Sequence, residues 1–176
     1  MSPEEYELNP VSTIAVGAIG RPGRRTFFLQ AIGAGQTISL KMEKEQVAAL
    51  AQGIDRILEE LEQQEVRAMS SVDEPDLPGL DEEEAASSSF VVGQIGLGFD
   101  QLSHLLVLVV QEIPFAEEEP AVARLWASPG QMRALSRQAK EVVAQGRPIC
   151  PLCNEPMDPD GHFCPRGNGH GKAQAM

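Results

Sequence analysis

The chain has 176 residues, of which 42% are hydrophobic and 5% aromatic, and it carries a net charge of −12. This length suits one core with an appendage and excludes two domains of ordinary size. Residues 59–119 carry one basic and sixteen acidic groups, and the sequence lacks the dense Lys/Arg stripe that nucleic-acid binding requires, so we expect no nucleic-acid partner.

The apolar runs and the cysteine count indicate the compartment. The charged residues among the first ten are all acidic, and the longest apolar run, residues 105–110, is six residues long. We therefore predict neither a secretory signal nor a membrane span, and a cytoplasmic location. Thiols stay reduced there, and three cysteines cannot all pair, so metal binding is favoured over a disulfide framework.

The first half of the chain predicts three strands and a helix. Residues 1–10 have no pattern and are expected to be a frayed lead-in. Strands are expected at 13–20 and 26–32, which a Pro-Gly turn joins into a hairpin, and at 37–42, where apolar and polar residues alternate. From Glu43 onward, apolar residues recur at helical spacing and predict an amphipathic helix. They are Val47, Leu50, Ile54, Ile57, Leu58 and Leu61.

Residues 65–89 break this pattern. They combine proline, glycine, serine and many acidic residues without any periodicity. Such a segment has too little apolar surface to offset the entropy of ordering, so we predict a disordered, dispensable linker at about 65–89.

The second half predicts the same series of elements. Strands are expected at 90–99, 105–113 and 122–126, and a helix begins near Ser128 and runs through Ala144. The helix start has the sequence Ser128-Pro-Gly-Gln131, in which the serine and the glutamine can form a capping box and the proline occupies the tolerated first position.

The two halves also share a short sequence motif and a pattern of apolar helix positions. Residues 16–20, Val-Gly-Ala-Ile-Gly, recur as Val-Gly-Gln-Ile-Gly at 92–96, and helix positions 47, 50, 54, 57 and 58 match 132, 135, 139, 142 and 143. We predict an α+β fold with two strand-strand-strand-helix repeats, which form an antiparallel sheet covered by two helices. The domain is expected at 11–146 and a tail at 147–172. Amphipathic helices of similar spacing are common, so the match does not by itself require duplication.

The tail contains every cysteine of the chain. Cys150 and Cys153 form a Cys-x-x-Cys turn, Cys164 follows, and His162 or His170 completes a set of four soft donors. This set predicts a zinc-knuckle-like tail with one structural Zn(2+) per chain, because a saturated shell leaves no position for water. A redox pair or a catalytic zinc is the alternative. The redox pair is disfavoured because the motif follows a helix and lies between prolines.

Basic residues supply a candidate anion site. Arg21, Arg24 and Arg25 cluster on the Pro-Gly turn, and Arg147 and Arg166 flank the cysteines. Guanidinium groups grip phosphate or carboxylate through paired, charge-assisted hydrogen bonds. The alternative is a solvated turn. The Asp-Gln-Leu-Ser-His stretch at 100–104, elsewhere in the chain, has ordinary turn composition rather than a catalytic arrangement.

Four sequence segments resemble those of a known family. They are Arg21-Pro-Gly-Arg-Arg-Thr-Phe-Phe-Leu-Gln30, Leu40-Lys-Met-Glu-Lys-Glu-Gln-Val47, Gly146-Arg-Pro-Ile-Cys-Pro-Leu-Cys153 and Gly161-His-Phe-Cys-Pro-Arg166. Together they resemble the uncharacterised bacterial Domain of Unknown Function 3090 family over nearly the whole chain. The resemblance favours His162 over His170 as fourth ligand. It also implies a genomic setting beside phosphomutase-like and lipid-kinase-like proteins, and it implies no catalytic residue.

The expected function is a zinc-stabilised binding or regulatory module that docks a protein partner or a phosphorylated small molecule. The rival hypothesis is an enzyme of phosphate or nucleotide metabolism with a substrate cleft between the two repeats. The first is favoured because no recognisable spacing assembles a nucleophile with a base, a phosphate loop or an open metal site.

Overall fold

The structure is a computed structural model that describes residues 4–21, 24–64, 75–87 and 89–145. Within these residues the chain forms seven strands and three helices. The strands are β1 (Glu5–Leu8), β2 (Thr13–Ile19), β3 (Thr26–Gly33), β4 (Gln36–Met42), β5 (Phe90–Asp100), β6 (Leu105–Glu112) and β7 (Val122–Ala127). The helices are α1 (Lys44–Gln63), α2 (Glu82–Ala86) and α3 (Pro129–Gln145). The predicted α+β class is confirmed.

The strands form one mixed sheet in the order β1-β7-β6-β5-β4-β3-β2. The prediction of an antiparallel sheet is therefore wrong at two places, because β1 pairs with β7 and β4 pairs with β5 in parallel. The chain between β4 and β5 includes a full helix, and such a crossover returns the chain to the end where it started, which makes the next strand parallel.

The short link between β1 and β2 shows that this sheet is strongly curved. These strands are the two edges, and a flat seven-stranded sheet would separate them by roughly 28 Å. The five residue steps from Leu8 to Thr13 span at most about 18 Å. Backbone N–H groups in the link bond to both sides, from Val11 to the Trp126 carbonyl (2.8 Å) and from Ser12 to the Ile32 carbonyl (2.7 Å). The two edges of the sheet therefore approach each other at this link.

Strand β1 lies before residue 11, where the domain was expected to begin. Its backbone bonds along β7 in register, with Leu8 opposite Leu125, and Leu8 is fully buried in the core. The sequence has no alternating apolar pattern over these residues. Pairing with a distant strand therefore decides their conformation.

Three strands and one helix follow each other in each half of the sheet. We call β2–β4 with α1 the first unit and β5–β7 with α3 the second unit. In the first unit Leu29 pairs with Leu40, and in the second Leu108 pairs with Leu125. However, the similar sequence motifs at 16–20 and 92–96 do not occupy equivalent positions in the two hairpins. The last pair before each hairpin turn is Ile19 with Thr26 in the first unit and Asp100 with Leu105 in the second. Val16 lies three residues before the first of these pairs and Leu97 three residues before the second, so Val16 corresponds to Leu97 and not to Val92.

The two long helices begin as the sequence predicts. At α3, the Gln131 N–H donates to Ser128 Oγ (3.1 Å) and the Ser128 N–H donates to Gln131 Oε1 (2.9 Å), which is the predicted capping box. At α1, the Glu43 N–H donates to Gln46 Oε1 (2.7 Å). Each glutamine also donates from Nε2 to a backbone carbonyl: Gln46 to Val92 O in β5, and Gln131 to Ser12 O, the residue just before β2.

A single core joins the two units. The buried side chains of both helices and of β1–β7 form one cluster, in which Leu50, Ile54, Met132 and Leu135 are at most 2% exposed. The helices contact each other where the Ser136 hydroxyl lies 3.3 Å from the Ala51 carbonyl oxygen. Among the described helices, none is long and apolar enough to cross a membrane.

Residues 75–87, which we call the strap, differ from the expected disordered linker. They include α2 and pack on the outer side of the first unit. The Gln30 side chain donates to the Asp81 carbonyl (2.6 Å) and accepts from the Asp81 N–H (2.8 Å), and Ala85 is 1% exposed. The hydrogen-bonding partner lies 51 residues away, so local composition did not reveal it.

Candidate functional site

A cleft of about 310 Å³ lies between the two units. Residues 16–19 of β2 line it, together with Gly79, Leu80 and Glu82 of the strap and residues of the last turns of α3 from Gln138 to Gln145. The hairpin arginine Arg25 also lines it. The enzyme hypothesis needs a substrate cleft between the two units, and a substrate in this one stays a prediction.

Gln138 holds the strap against β2. Its Oε1 accepts a hydrogen bond from the Val16 N–H (2.8 Å), and its Nε2 donates to the Pro78 carbonyl (3.0 Å). Leu80 then lies directly over Gly17, where an added Cβ would approach Leu80 Cγ to 2.5 Å. A glycine is therefore required at position 17 for the strap to lie this close, and the cleft wall is a packed structure.

Arg25 is the one predicted anion-binding residue that the described part of the chain places in the cleft. Its Nη1 lies 3.5 Å from the Val142 carbonyl oxygen, near the negative C-terminal end of α3. Its Nε is buried without a hydrogen-bond partner among the described residues. Glu82 and Glu141 line the same cleft, so its lining contains one cationic and two acidic residues.

The other arginines do not converge with Arg25. Arg21 and Arg24 are exposed on the hairpin turn, where the Arg24 N–H donates to the Arg21 carbonyl (2.8 Å). Arg147 and Arg166 lie outside the described residues. The structure thus separates the hairpin cluster into one arginine that lines the cleft and two that face solvent.

The predicted zinc ligands all lie outside the described residues. They are Cys150, Cys153, His162, Cys164 and the alternative ligand His170. Within residues 4–21, 24–64, 75–87 and 89–145, no group of three or more His, Cys, Asp or Glu side chains is placed to hold a metal ion.

A polar cluster between α1 and α3 was not anticipated. The Ser136 hydroxyl lies 2.6 Å from Asp55 Oδ1, and Lys140 forms an ion pair with the same carboxylate. Burial by itself would raise the pKa of Asp55, but hydrogen bonds from Lys140 and Ser136 outweigh it and lower the pKa. The 85-residue spacing that matches the two helices also matches Asp55 with Lys140, a signal that the sequence did contain.

The stretch at 100–104 is a turn, as its composition indicates. The Asp100 carboxylate accepts the Leu102 N–H (3.0 Å), and this bond, followed by one from Ser103, lowers the pKa of Asp100. His104 has a φ of 57° and stacks on Phe99 with ring centroids 6.2 Å apart. These contacts stabilise the β5–β6 connection.

The comparisons with known proteins give one family. The family model described as Protein of unknown function (DUF3090) matches residues 6–164. The chain belongs to the DUF3090 family. The matched span of this DUF3090 chain ends at Cys164, so it includes all three cysteines and His162, whereas His170 lies beyond it. Neither the curated proteins nor the solved structures give a significant match.

Proposed function

We propose that this DUF3090 chain is a zinc-stabilised binding or regulatory module. One observation carries the proposal: Cys150, Cys153, His162 and Cys164 all fall within the span that the family model matches. Three thiolates and one imidazole are donors that zinc prefers, and they complete a tetrahedral shell. His170 stays the alternative fourth ligand. A cytoplasmic location fits the proposal, because these thiols must remain reduced to bind the metal.

A closed shell determines what the metal would do. With four protein ligands there is no coordination position for a water nucleophile, so the zinc would order the tail and take no part in a reaction. The residues that would meet a partner are then the basic ones: Arg147 and Arg166 beside the ligands, and the exposed pair Arg21 and Arg24. Paired guanidinium groups suit a phosphorylated ligand or an acidic protein surface.

We further propose that the two units derive from one duplicated βββα unit. The support is that matched residues have matched roles. Gln46 and Gln131, 85 residues apart, each bond the first turn of a long helix to a backbone carbonyl, that of Val92 in β5 and that of Ser12 just before β2. Ala51 and Ser136, also 85 apart, contact each other where the helices cross. Two copies packed about a common axis would place matched residues in contact in this way.

A specific observation also favours the rival hypothesis, an enzyme of phosphate or nucleotide metabolism. The cleft lies between the units and contains Arg25, whose buried Nε has no partner in the described part of the chain. The carboxylates of Glu82 and Glu141 oppose this hypothesis, because they repel a phosphate that enters the same space.

Metal analysis of the full chain, purified without chelator, tests the proposal. We expect close to one zinc per chain, loss of zinc in Cys153→Ser and His162→Ala, and retention in the matched control His170→Ala. A metal-free wild-type protein with a Cys150–Cys153 disulfide would support the redox alternative and contradict the zinc site.

A ligand screen separates the two functions. Nucleotides, sugar phosphates and inositol phosphates are tested for a shift in Tm of the wild type, Arg24→Ala and Arg25→Ala. A binding module predicts a shift that Arg24→Ala abolishes and a compound that is recovered unchanged. A compound that depends on Arg25 and is consumed with time supports the enzyme.

A further inference from the structure

The outer side of β6 and β7 is an apolar surface that the described residues leave half-buried. Along β6, Leu106, Leu108 and Val110 are fully buried, so the alternate residues Val107 and Val109 face outward. The same alternation in β7 turns three residues outward, and with the two valines they form what we call the second outer face. Its residues are Val107, Val109, Val122, Arg124 and Trp126, and all five keep part of their surface exposed.

The corresponding face of the first unit is covered. The strap lies on it, so that Phe28, Gln30 and Ser39 are 8%, 7% and 2% exposed although they alternate with the core residues of β3 and β4. The strap is also the first described segment after α1 along the chain. The first unit therefore covers its outer face with the chain that follows its own long helix.

The two faces share the geometry that receives the strap. Gly17 lies two residues before the closing pair of the β2–β3 hairpin, in a row with Phe28 and Lys41. Gly98 lies two residues before the closing pair of β5–β6, in a row with Val107 and Trp126. Leu80 of the strap occupies the space above Gly17, whereas within the described residues a Cβ at Gly98 would meet nothing within 4 Å.

We infer that residues 146–176 lie across the second outer face as the strap lies across the first. They follow α3, the helix that corresponds to α1, and the 13 residues of the strap suffice for the first face while the tail has 31. The tail also contains apolar side chains that can cover Gly98 and the valines. They are Ile149, Leu152, Met157 and Phe163.

The proposed position of the tail does not depend on the metal. A zinc site holds parts of the tail to each other, whereas the second outer face decides where the tail rests on the fold. Zinc content and the position of the tail are separate measurements on the same preparation, so either proposal can fail without the other.

Photo-cross-linking in the full chain tests the position of the tail. The photoreactive amino acid p-benzoylphenylalanine replaces Val109 in one variant and Trp126 in a second, so that poor folding of one leaves the other. A third variant carries it at Ile32, which is 42% exposed at the far end of the first outer face. Circular dichroism checks that each variant is folded, and mass spectrometry identifies the linked peptide.

We expect a cross-link within one chain from positions 109 and 126 to a peptide of residues 146–176. We expect no such cross-link from position 32. A cross-linked dimer would show that a second copy occupies the face and would overturn the inference. A folded protein without a tail link at either position, or with equal links at all three, would overturn it as well.

Discussion

The outer faces of the two units differ in what the described residues place on them. On the first, the polar side chain of Gln30 is 7% exposed because the strap supplies both of its hydrogen-bond partners. On the second, Val109 occupies the corresponding position of the middle strand and is half-buried. A polar residue is thus buried where a segment satisfies it, and apolar residues stay partly open where no described segment lies. The contrast shows that strand alternation alone does not reveal which face is covered.

Core truncation tests whether the two units share one core, and it has the largest expected effect on stability. Leu40→Ala in the first unit and Leu125→Ala in the second each remove a side chain that is 0% exposed. Each should lower the free energy of unfolding by about 2–5 kcal/mol. Urea unfolding is followed by circular dichroism and by fluorescence of Trp126, the only tryptophan, which lies in the second unit.

With one core, Leu40→Ala shifts the Trp126 fluorescence transition as far as the circular dichroism transition. A Trp126 transition that stays at its wild-type urea concentration in Leu40→Ala would show two independent units. Leu102→Ala, at a residue that is 98% exposed, is the control and should change stability by less than about 0.5 kcal/mol.

The covered face can be opened at a single residue. Gln30→Ala removes both partners of the Asp81 backbone and should lower the free energy of unfolding by about 1–3 kcal/mol. It should also speed proteolysis within residues 75–87, which is followed by mass spectrometry. Gln111→Ala, on the outer side of β6, is the matched control and should leave that cleavage rate unchanged. Equal cleavage in both variants would mean that Gln30 does not hold the strap.

The contact between the two helices should give a smaller, pH-dependent effect. The pKa of Asp55 is lowered in the folded chain, so its contribution is present above the unfolded pKa of about 3.9 and is lost as pH falls through the folded pKa. Its side chain is 46% exposed, which limits the effect of Asp55→Asn to about 0.2–1 kcal/mol.

Stability of Asp55→Asn and wild type is measured by urea unfolding between pH 7 and pH 2. The difference between them should be present at pH 7 and shrink below about pH 4. Glu59→Gln, at an exposed residue of the same helix, is the control. A difference that persists unchanged at pH 2 would show that the carboxylate charge is not its cause.

Features that depend on local sequence were predicted, and features that depend on distant partners were not. The helix starts follow from short-range chemistry, as Ser128 and Gln131 show by forming the predicted capping box. Strand β1 was missed because its partner β7 is more than a hundred residues away in the chain. The order of the strap was missed because one buried side chain, Gln30, satisfies the Asp81 backbone.

The features of the candidate site also separate into those that the sequence predicted and those that depend on packing. The hairpin arginines were recognised as a cluster, but only packing against α3 distinguishes Arg25, which lines the cleft, from Arg21 and Arg24, which are exposed. The spacing of the tail cysteines was evident in the sequence, and the zinc site that it predicts stays a prediction. The cluster of Asp55, Ser136 and Lys140 forms only when two helices meet, so neither helix alone could indicate it.

X-ray absorption at the zinc edge tests the central claim of a closed zinc site most directly. The full chain should give a shell of three sulfur atoms at about 2.3 Å and one nitrogen atom at about 2.0–2.1 Å. His162→Ala should lose the nitrogen or the metal, and His170→Ala should leave the shell unchanged. A shell with fewer than three sulfur atoms, or with a bound water oxygen in wild type, would contradict the closed site and the binding module that rests on it.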